Sequence, residues 1–443
     1  MAQASLVKRL AAHPRWGVYF SFNRTVYILL LFTLGKGFQL SIGQLTINLY
    51  VYSITHDLQI VGIVAAMSPL GALLAGVPIG FLADRFGRKT MLVASGLLTP
   101  VTLVAIALSA SPAVLVLANL ANGVAASPYW VTNLPLLTEN TSDDQRVGAL
   151  AMNNFLLLGV GALGALIGSA VPIAVANISG LPANSTVPLR FGVLAAALVV
   201  LLPALPLILV HEPPRTRAAP ALAASLASGF EGRAIGQIAP SDEAAPDPQG
   251  RWAVTALFAK LLIPDVLFTT GEGTVIALMQ LYFVLKFGLA LGTLGILLTV
   301  AGLVGGATSL TAPGFVRRWG QLRMATTMQY LSAPVMLVIG FSPLFPLAAL
   351  AEFVRQILRG LFEPVYAAFA MDSVTTRYRG RLSGFYSLTW SIGFSIGSVV
   401  EGWLQRHVSL SASFPVGALC LFTSATLLRT FFGRSRGSTT DKR

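Results

Sequence analysis

Charge is scarce in this sequence. Only 11% of its 443 residues are Asp, Glu, Lys or Arg, whereas 55% are hydrophobic, and soluble domains carry roughly 25% charge. A soluble globule of that composition is excluded, because it would present large apolar patches to water. Cysteine is nearly absent: Cys420 stands alone in an apolar run, which rules out a disulfide within the chain and leaves no Cys-based metal site. It reads as a small core residue. The four histidines, His13, His56, His211 and His407, lie at or outside the edges of apolar runs and form no metal or triad constellation. No G-x-x-x-x-G-K-[ST] phosphate loop is present, so energy for any transport must come from gradients or from coupled substrates. No cofactor is expected, and a membrane enzyme is disfavoured. The formal net charge is +13, but a nucleic-acid binder would gather its basic residues on one soluble face. Here they fall in breaks between apolar runs, so nucleic acid is not an expected partner.

What the sequence does have is a series of apolar runs of about 20 or more residues, each able to cross a hydrocarbon core of ~30 Å. The fold class expected is all-α integral membrane, with twelve transmembrane helices in two six-helix bundles. Spans are predicted near 25–54, 58–82, 90–110, 112–138, 147–176 and 190–210, then 252–287, 290–312, 324–342, 344–373, 381–405 and 412–432. A polar stretch rich in Pro, Ala, Ser and acidic residues, His211 to Arg251, divides them six and six. The expected organisation is an N-terminal segment 1–24, a bundle 25–210, a cytoplasmic linker 211–251, a second bundle 252–432 and a tail 433–443. Residues 1–24 lack the apolar core and cleavage site of a signal peptide; Leu6, Lys8, Arg9, Trp16 and Tyr19 fit a short interfacial helix. Short loops rich in Lys and Arg stay in the cytoplasm. With both termini inside, most of the 30 Lys and Arg are cytoplasmic, against Arg190, Lys286 and Arg406 outside. The expectation is a monomeric, multi-pass protein of the plasma (inner) membrane, in contact with lipid, with both termini cytoplasmic.

The halves echo each other, as transporters built from repeats do. Asn119-Leu120-Ala121-Asn122-Gly123 matches Gln356-Ile357-Leu358-Arg359-Gly360 at a displacement of 237, with Tyr129 answering Tyr366. Arg146 and Gly164 match Arg379 and Gly397 at a displacement of 233. Between the second and third spans stands Gly80-Phe81-Leu82-Ala83-Asp84-Arg85-Phe86-Gly87-Arg88-Lys89. Glycine allows a tight turn, and a carboxylate beside several cations can form an ion-pair latch. This loop resembles the signature G-x-L-a-D-r-x-G-r-k of the major facilitator superfamily at every defining position. The resemblance covers the whole chain in topology. It implies a secondary active transporter working by alternating access, with Gly80, Asp84, Arg85, Gly87, Arg88 and Lys89 gating from the cytoplasmic side. The corresponding second-half loop, Pro313 to Gly320, is degraded, with Arg317 where Asp84 would stand. The fourth span also departs from the pattern R-x-x-Q-G of many proton-coupled members, reading Asn119-x-x-Asn122-Gly123. Proton coupling therefore cannot be carried over from that position. Gly161, Gly164, Gly168 and Pro172 give only a loose version of the antiporter motif, which leaves import or efflux open.

Charges within hydrocarbon cost at least ~2.5 kcal/mol each on insertion scales, so each asks for a partner, water or a purpose. They sit on few spans: Lys36 on the first, Lys260, Asp265 and Glu272 on the seventh, and Glu352, Arg355, Arg359 and Glu363 on the tenth. In the family fold these spans and the fourth line a central cavity. At about 100° per residue the four charges of the tenth span share one face. They can form an internal salt-bridge ladder or release a group to substrate. Asp265 and Glu272, seven residues apart, share another face, with Lys260 about 130° away. Pro264, Gly271 and Gly273 interrupt the helix around them, as helices do near transporter binding sites. The candidates for substrate binding are Lys36, Asn119, Asn122, Tyr129, Arg355 and Arg359; those for proton coupling are Asp265, Glu272, Glu352 and Glu363. For the asparagines, helix-to-helix hydrogen bonding is the alternative; for the acids, pairing with Lys36 or Arg359. Glu139, Asp372 and Glu401 lie near span ends, where solvated or latching roles are expected. The expected partners are a small anionic or zwitterionic solute, with an amphipathic one among the candidates, and protons or another coupling ion. An exporter of hydrophobic cations, or a non-transporting receptor or scaffold, is the alternative.

Overall fold

The computed structural model describes residues 22–210, 251–309 and 311–433. The predicted interfacial helix, the linker up to residue 250 and the tail beyond Gly433 lie outside the described residues. Among the described residues the chain is helical, without strands. Helices α1 (Arg24–Thr55), α2 (Leu58–Phe86), α3 (Arg88–Leu108) and α4 (Pro112–Glu139) follow one another through tight turns. The fifth predicted span is assembled from α5 (Asp143–Asn154), a π turn (Phe155–Gly159), a 3-10 turn (Val160–Leu163) and α6 (Gly164–Ser179). Helix α7 (Thr186–Ala204) closes the first half. The second half holds α8 (Arg251–Ile276), α9 (Met279–Phe287), α10 (Leu291–Ser309), α11 (Ala312–Trp319), α12 (Gln321–Phe341), α13 (Phe345–Asp372), α14 (Thr376–His407) and α15 (Ser413–Phe432).

Each of the twelve predicted spans corresponds to a helix or to a run of joined helical segments. Ten are long and apolar enough to cross a membrane by composition. The other two, α13 and α14, have the length but are diluted, α13 by its charges and α14 by Ser, Thr and Gly. One expectation needs correcting. The seventh span is not continuous: it breaks at Ala277 and Leu278, between α8 and α9.

Local chemistry sets the turns. Asn23 caps α1 by accepting the Val26 N–H at 2.8 Å, and Asp57 caps α2 by accepting the Gln59 N–H at 2.9 Å. Gly87 ends α2 and starts α3 at a φ of 103°, and Gly320 does the same between α11 and α12 at 75°. Such φ values strain any residue with a Cβ, which explains a glycine at each junction. The equivalence extends further. Arg88 pairs with Glu139 at the end of α4, and Gln321 donates to Asp372 at the end of α13, 2.9 Å. Tyr50 donates to the carbonyls of Ala107 and Ser109, and Tyr282 to those of Ile339 and Gly340. A repeat that is faint in sequence is thus explicit in hydrogen bonding.

The halves meet along three seams: α1 with α9, α2 with α14, and the fifth span with α10. At the end opposite Gly87 and Gly320 they are tightly joined. A Cβ on Gly62 would stand 2.5 Å from the Ser398 carbonyl, and one on Gly402 2.6 Å from that of Leu58. Ser395 donates to the Ala66 carbonyl at 3.0 Å, Asn48 to that of Ala277 at 2.5 Å, and Arg406 pairs with Asp57.

Candidate functional site

Lys36 occupies the middle of α1 and is buried, 1% exposed. Its flanking glycines explain its direction. A Cβ on Gly35 would meet Pro203 of α7 at 2.6 Å, and one on Gly37 the Leu157 carbonyl in the π turn at 2.4 Å. These close approaches seat α1 against α7 and the fifth span and leave Lys36 turned to α4. There its ammonium lies 5.8 Å from the centre of the Tyr129 ring, a cation–π distance. Phe32 and Trp130 pack edge-on against Tyr129, with ring centres at 5.7 and 5.0 Å. Among the described residues no carboxylate lies within ion-pair reach of Lys36.

One helical turn away, a polar cluster continues the same face. Thr33 donates to Asn153 Oδ1 at 2.8 Å, and Asn133 donates to the same oxygen at 3.0 Å. Asn153 stands in the last turn of α5, two residues before the π turn, a feature frequent at functional sites. Asn119 and Asn122 point elsewhere. Asn119 donates to the Val64 carbonyl of α2, and Asn122 Oδ1 accepts from Thr102 of α3 at 3.0 Å. Both therefore hold α4 to its neighbours.

The second half concentrates its charges. Arg355, 1% exposed, forms a bidentate pair with Glu352, both bonds at 2.8 Å, and reaches Glu272 of α8 at 3.0 Å. Arg359 bonds Glu363 at 2.9 Å, stands 3.6 Å from Glu272, and lies over the Trp390 ring at 5.7 Å. The ladder expected along α13 is present, and Glu272 ties it to α8. Three carboxylates thus face two guanidiniums. Asp265 is buried apart from this group, where its carboxylate accepts the Thr389 hydroxyl of α14. Lys260 is exposed, on the side of α8 away from both acids.

At about 1.5 Å per residue, Lys36 lies roughly 18 Å from the start of α1 and Arg359 roughly 20 Å from the end of α13. The lone cation and the ladder are at comparable depth on opposite halves. In the signature loop Gly80 is buried, while Asp84 and Arg85 are exposed. Lys89 follows Arg88 at the start of α3.

The sequence matches the model of the Major Facilitator Superfamily over residues 17–263 and 265–443. The chain belongs to that superfamily. Solved transporters share its fold. A D-xylose-proton symporter aligns with a TM-score of 0.70 at 16% identity, covering 92% of this chain and 98% of that one. A POT family peptide transporter aligns at 0.70 and 11% identity, over 95% and 99%. The human organic anion transporter MFSD10 aligns at 0.60 and 15% identity, over 91% and 99%. None of the curated proteins compared matches the sequence. As a superfamily member the chain is an integral membrane, multi-pass protein of a transporter family. Family membership and these likenesses point away from an enzyme.

Sequence reasoning does not single out Thr33, Asn153, Thr389 or Trp390, which are ordinary residues in apolar runs. It also misplaces Glu401. Expected at a solvated or latching position near a span end, Glu401 is fully buried. Its Oε2 accepts the Leu278 N–H at 3.0 Å and its Oε1 the Gln405 amide at 3.1 Å.

Proposed function

We propose that this superfamily member is a proton-coupled secondary transporter of a small organic anion or zwitterion. The observation that carries the reading is the contrast between Lys36 and the arginines. A buried cation in hydrocarbon is costly unless paired, and Lys36 lacks a carboxylate partner among the described residues. A substrate carboxylate or phosphate supplies one. Tyr129 and Trp130 offer an apolar and aromatic surface beside it, which suits an amphipathic solute. Arg359, over Trp390 and less buried than Arg355, is the group that exchanges a protein carboxylate for a substrate oxygen. Arg355 holds Glu272 and Glu352 in place.

Among the described residues Glu272, Glu352 and Glu363 share the guanidiniums of Arg355 and Arg359, and one of these carboxylates takes up the coupled proton. Asp265, outside the ladder, is the alternative carrier. Alternating access then follows from the tight seam between Gly62 and Gly402. With both termini in the cytoplasm, that seam closes the outer side. The signature loop at Asp84 to Lys89 would latch the opposite state from the inner side.

Thermal unfolding of the purified protein with matched carboxylates, phosphates, neutral esters and hydrophobic cations tests the reading. Anions or zwitterions should raise the transition temperature, and Lys36→Gln should remove that rise while the unliganded protein stays folded. Stabilisation by cations alone, or an undiminished anion response in Lys36→Gln, would sink it.

A further inference from the structure

The break between α8 and α9 is held from two sides. Asn48, from the first half, donates to the Ala277 carbonyl at 2.5 Å. Glu401, from α14, accepts the N–H of the next residue, Leu278, at 3.0 Å. One carbonyl and one N–H freed by the interruption are thereby satisfied, one by each neighbour. Asn48 can reach Ala277 only while the halves are closed at this end, and the same closure packs Gly62 of α2 against Gly402, the residue after Glu401. Glu401 therefore sits where the seam, the helix break and α14 converge.

Its charge environment is unusual. Glu401 is 0% exposed, and among the described residues no cation lies within ion-pair reach of it. The charged groups on the elements around it are engaged elsewhere. Asp57 of α2 pairs with Arg406. Glu272 of α8 and Glu352 of α13 bind Arg355. Lys286 of α9 donates to Tyr282 and to the Gly340 carbonyl, and His407 stacks on Trp403. A buried carboxylate without a counter-ion is stable in a fold chiefly as the neutral acid. Gln405, whose amide N–H donates to Glu401 Oε1 at 3.1 Å, can adapt to that form. Its amide oxygen, buried, has no hydrogen-bond partner, and turning the amide over places it where an acid O–H would donate.

We propose that Glu401 is a proton-binding site of the outer seam: closure at the α8–α9 break requires the neutral acid, and ionisation favours opening. In the closed state the acid keeps the Leu278 N–H on one oxygen and donates its own proton to Gln405. Opening admits water to the carboxyl, which then releases its proton to the outer solution. This site is separate from the ladder proposed above, and its test uses no substrate, so it can fail while the transport reading stands, and the reverse.

Spin labels on Ile178→Cys and Val408→Cys, in a Cys420→Ser background, report the separation of the halves at this end. Both native side chains are exposed, 88% and 63%. For one proton the ratio of short to long distances should fall by about tenfold per pH unit on the alkaline side of its midpoint. Glu401→Gln, which keeps the shape of the neutral acid, should hold the short distance at every pH. Glu401→Asp should retain the slope with a displaced midpoint, and Asp57→Asn, which removes the Arg406 pair across the seam, should move the midpoint towards the open state and leave the slope intact. Infrared difference spectra between acid and alkaline protein should contain a protonated-carboxyl band that is missing in Glu401→Gln. A slope that survives Glu401→Gln, a slope abolished by Asp57→Asn instead, or a pH-independent wild type would each overturn the proposal.

Discussion

The two halves of this transporter bury cations in opposite ways. In the second half, Arg355 and Arg359 are surrounded by Glu272, Glu352 and Glu363, all within hydrogen-bond or ion-pair reach. In the first half, Lys36 has an aromatic ring and no carboxylate among the described residues. A network of buried charges holds a fold only while it is complete, because removing one member strands the others. A lone buried cation does the reverse: it strains the empty protein and rewards whatever brings it a negative charge. On the function proposed above, the ladder is structure that also moves a proton, and Lys36 is the place where a ligand is recognised.

Neutralising each cation with an apolar residue of similar length should separate these roles most strongly. Arg355→Met leaves Glu272 and Glu352 buried without their shared partner, and truncating one side of a buried ion pair costs about 3–5 kcal/mol. Thermal or denaturant unfolding should show that loss directly. Lys36→Met removes a buried charge that has no counter-ion, so stability in the same measurement should be unchanged or higher by about 1 kcal/mol or more. Equal destabilisation by the two variants would erase the distinction between the halves.

A smaller effect is expected from the packing that aims Lys36. Gly37→Ala puts a methyl group 2.4 Å from the Leu157 carbonyl, so α1 or the π turn must shift; overpacking of this kind costs typically 1–3 kcal/mol. Gly43 is the control. A Cβ there meets only the Ile47 and Gln39 side chains at 3.4 and 3.8 Å, and Gly43→Ala should be tolerated or slightly stabilising by helix propensity. If both variants unfold alike, the glycines around Lys36 have no special role in placing it.

How much of this was legible in the sequence depends on the range of the interaction. The spans and the charged face of α13 follow from patterns along one helix and the signature loop from a local motif; the structure has a helix or joined helical segments at each span, broken in the seventh, and the shared charged face of α13. The partners across helices do not follow. Nothing near Glu272 in sequence announces Arg355, and nothing near Asp265 announces Thr389, whose hydroxyl it accepts. Asn119 and Asn122 look like lining residues because they are polar and on the fourth span. Their hydrogen bonds to Val64 and Thr102 depend on how α2 and α3 pack, which periodicity does not specify. Of the two roles expected for Glu401, the solvated one fails for a related reason: its distance from the helix end suggests water, yet it is fully buried and bonded to the break in the seventh span.

The smallest expected effect concerns the signature loop, where the halves again differ. Arg88 and Glu139 form an ion pair in the first half, whereas the equivalent contact in the second half joins the neutral Gln321 to Asp372. Glu139 has 41% of its side chain exposed, and exposed pairs contribute about 0.2–1 kcal/mol. Glu139→Gln converts the first contact into the weaker kind, so unfolding should shift within that range. Asp84→Asn, at an exposed position, should change stability no more. Transport should respond differently from stability, because a latch acts on the balance between conformations rather than on the folded state as a whole. A population shift of even 1.4 kcal/mol changes the ratio of the two states tenfold. Asp84→Asn should therefore insert and unfold normally while slowing substrate flux in vesicles and enriching the state closed at the Gly62–Gly402 seam. If flux and the distance between the halves both match wild type, the loop is a topology anchor, and the difference between the two loops has no bearing on transport.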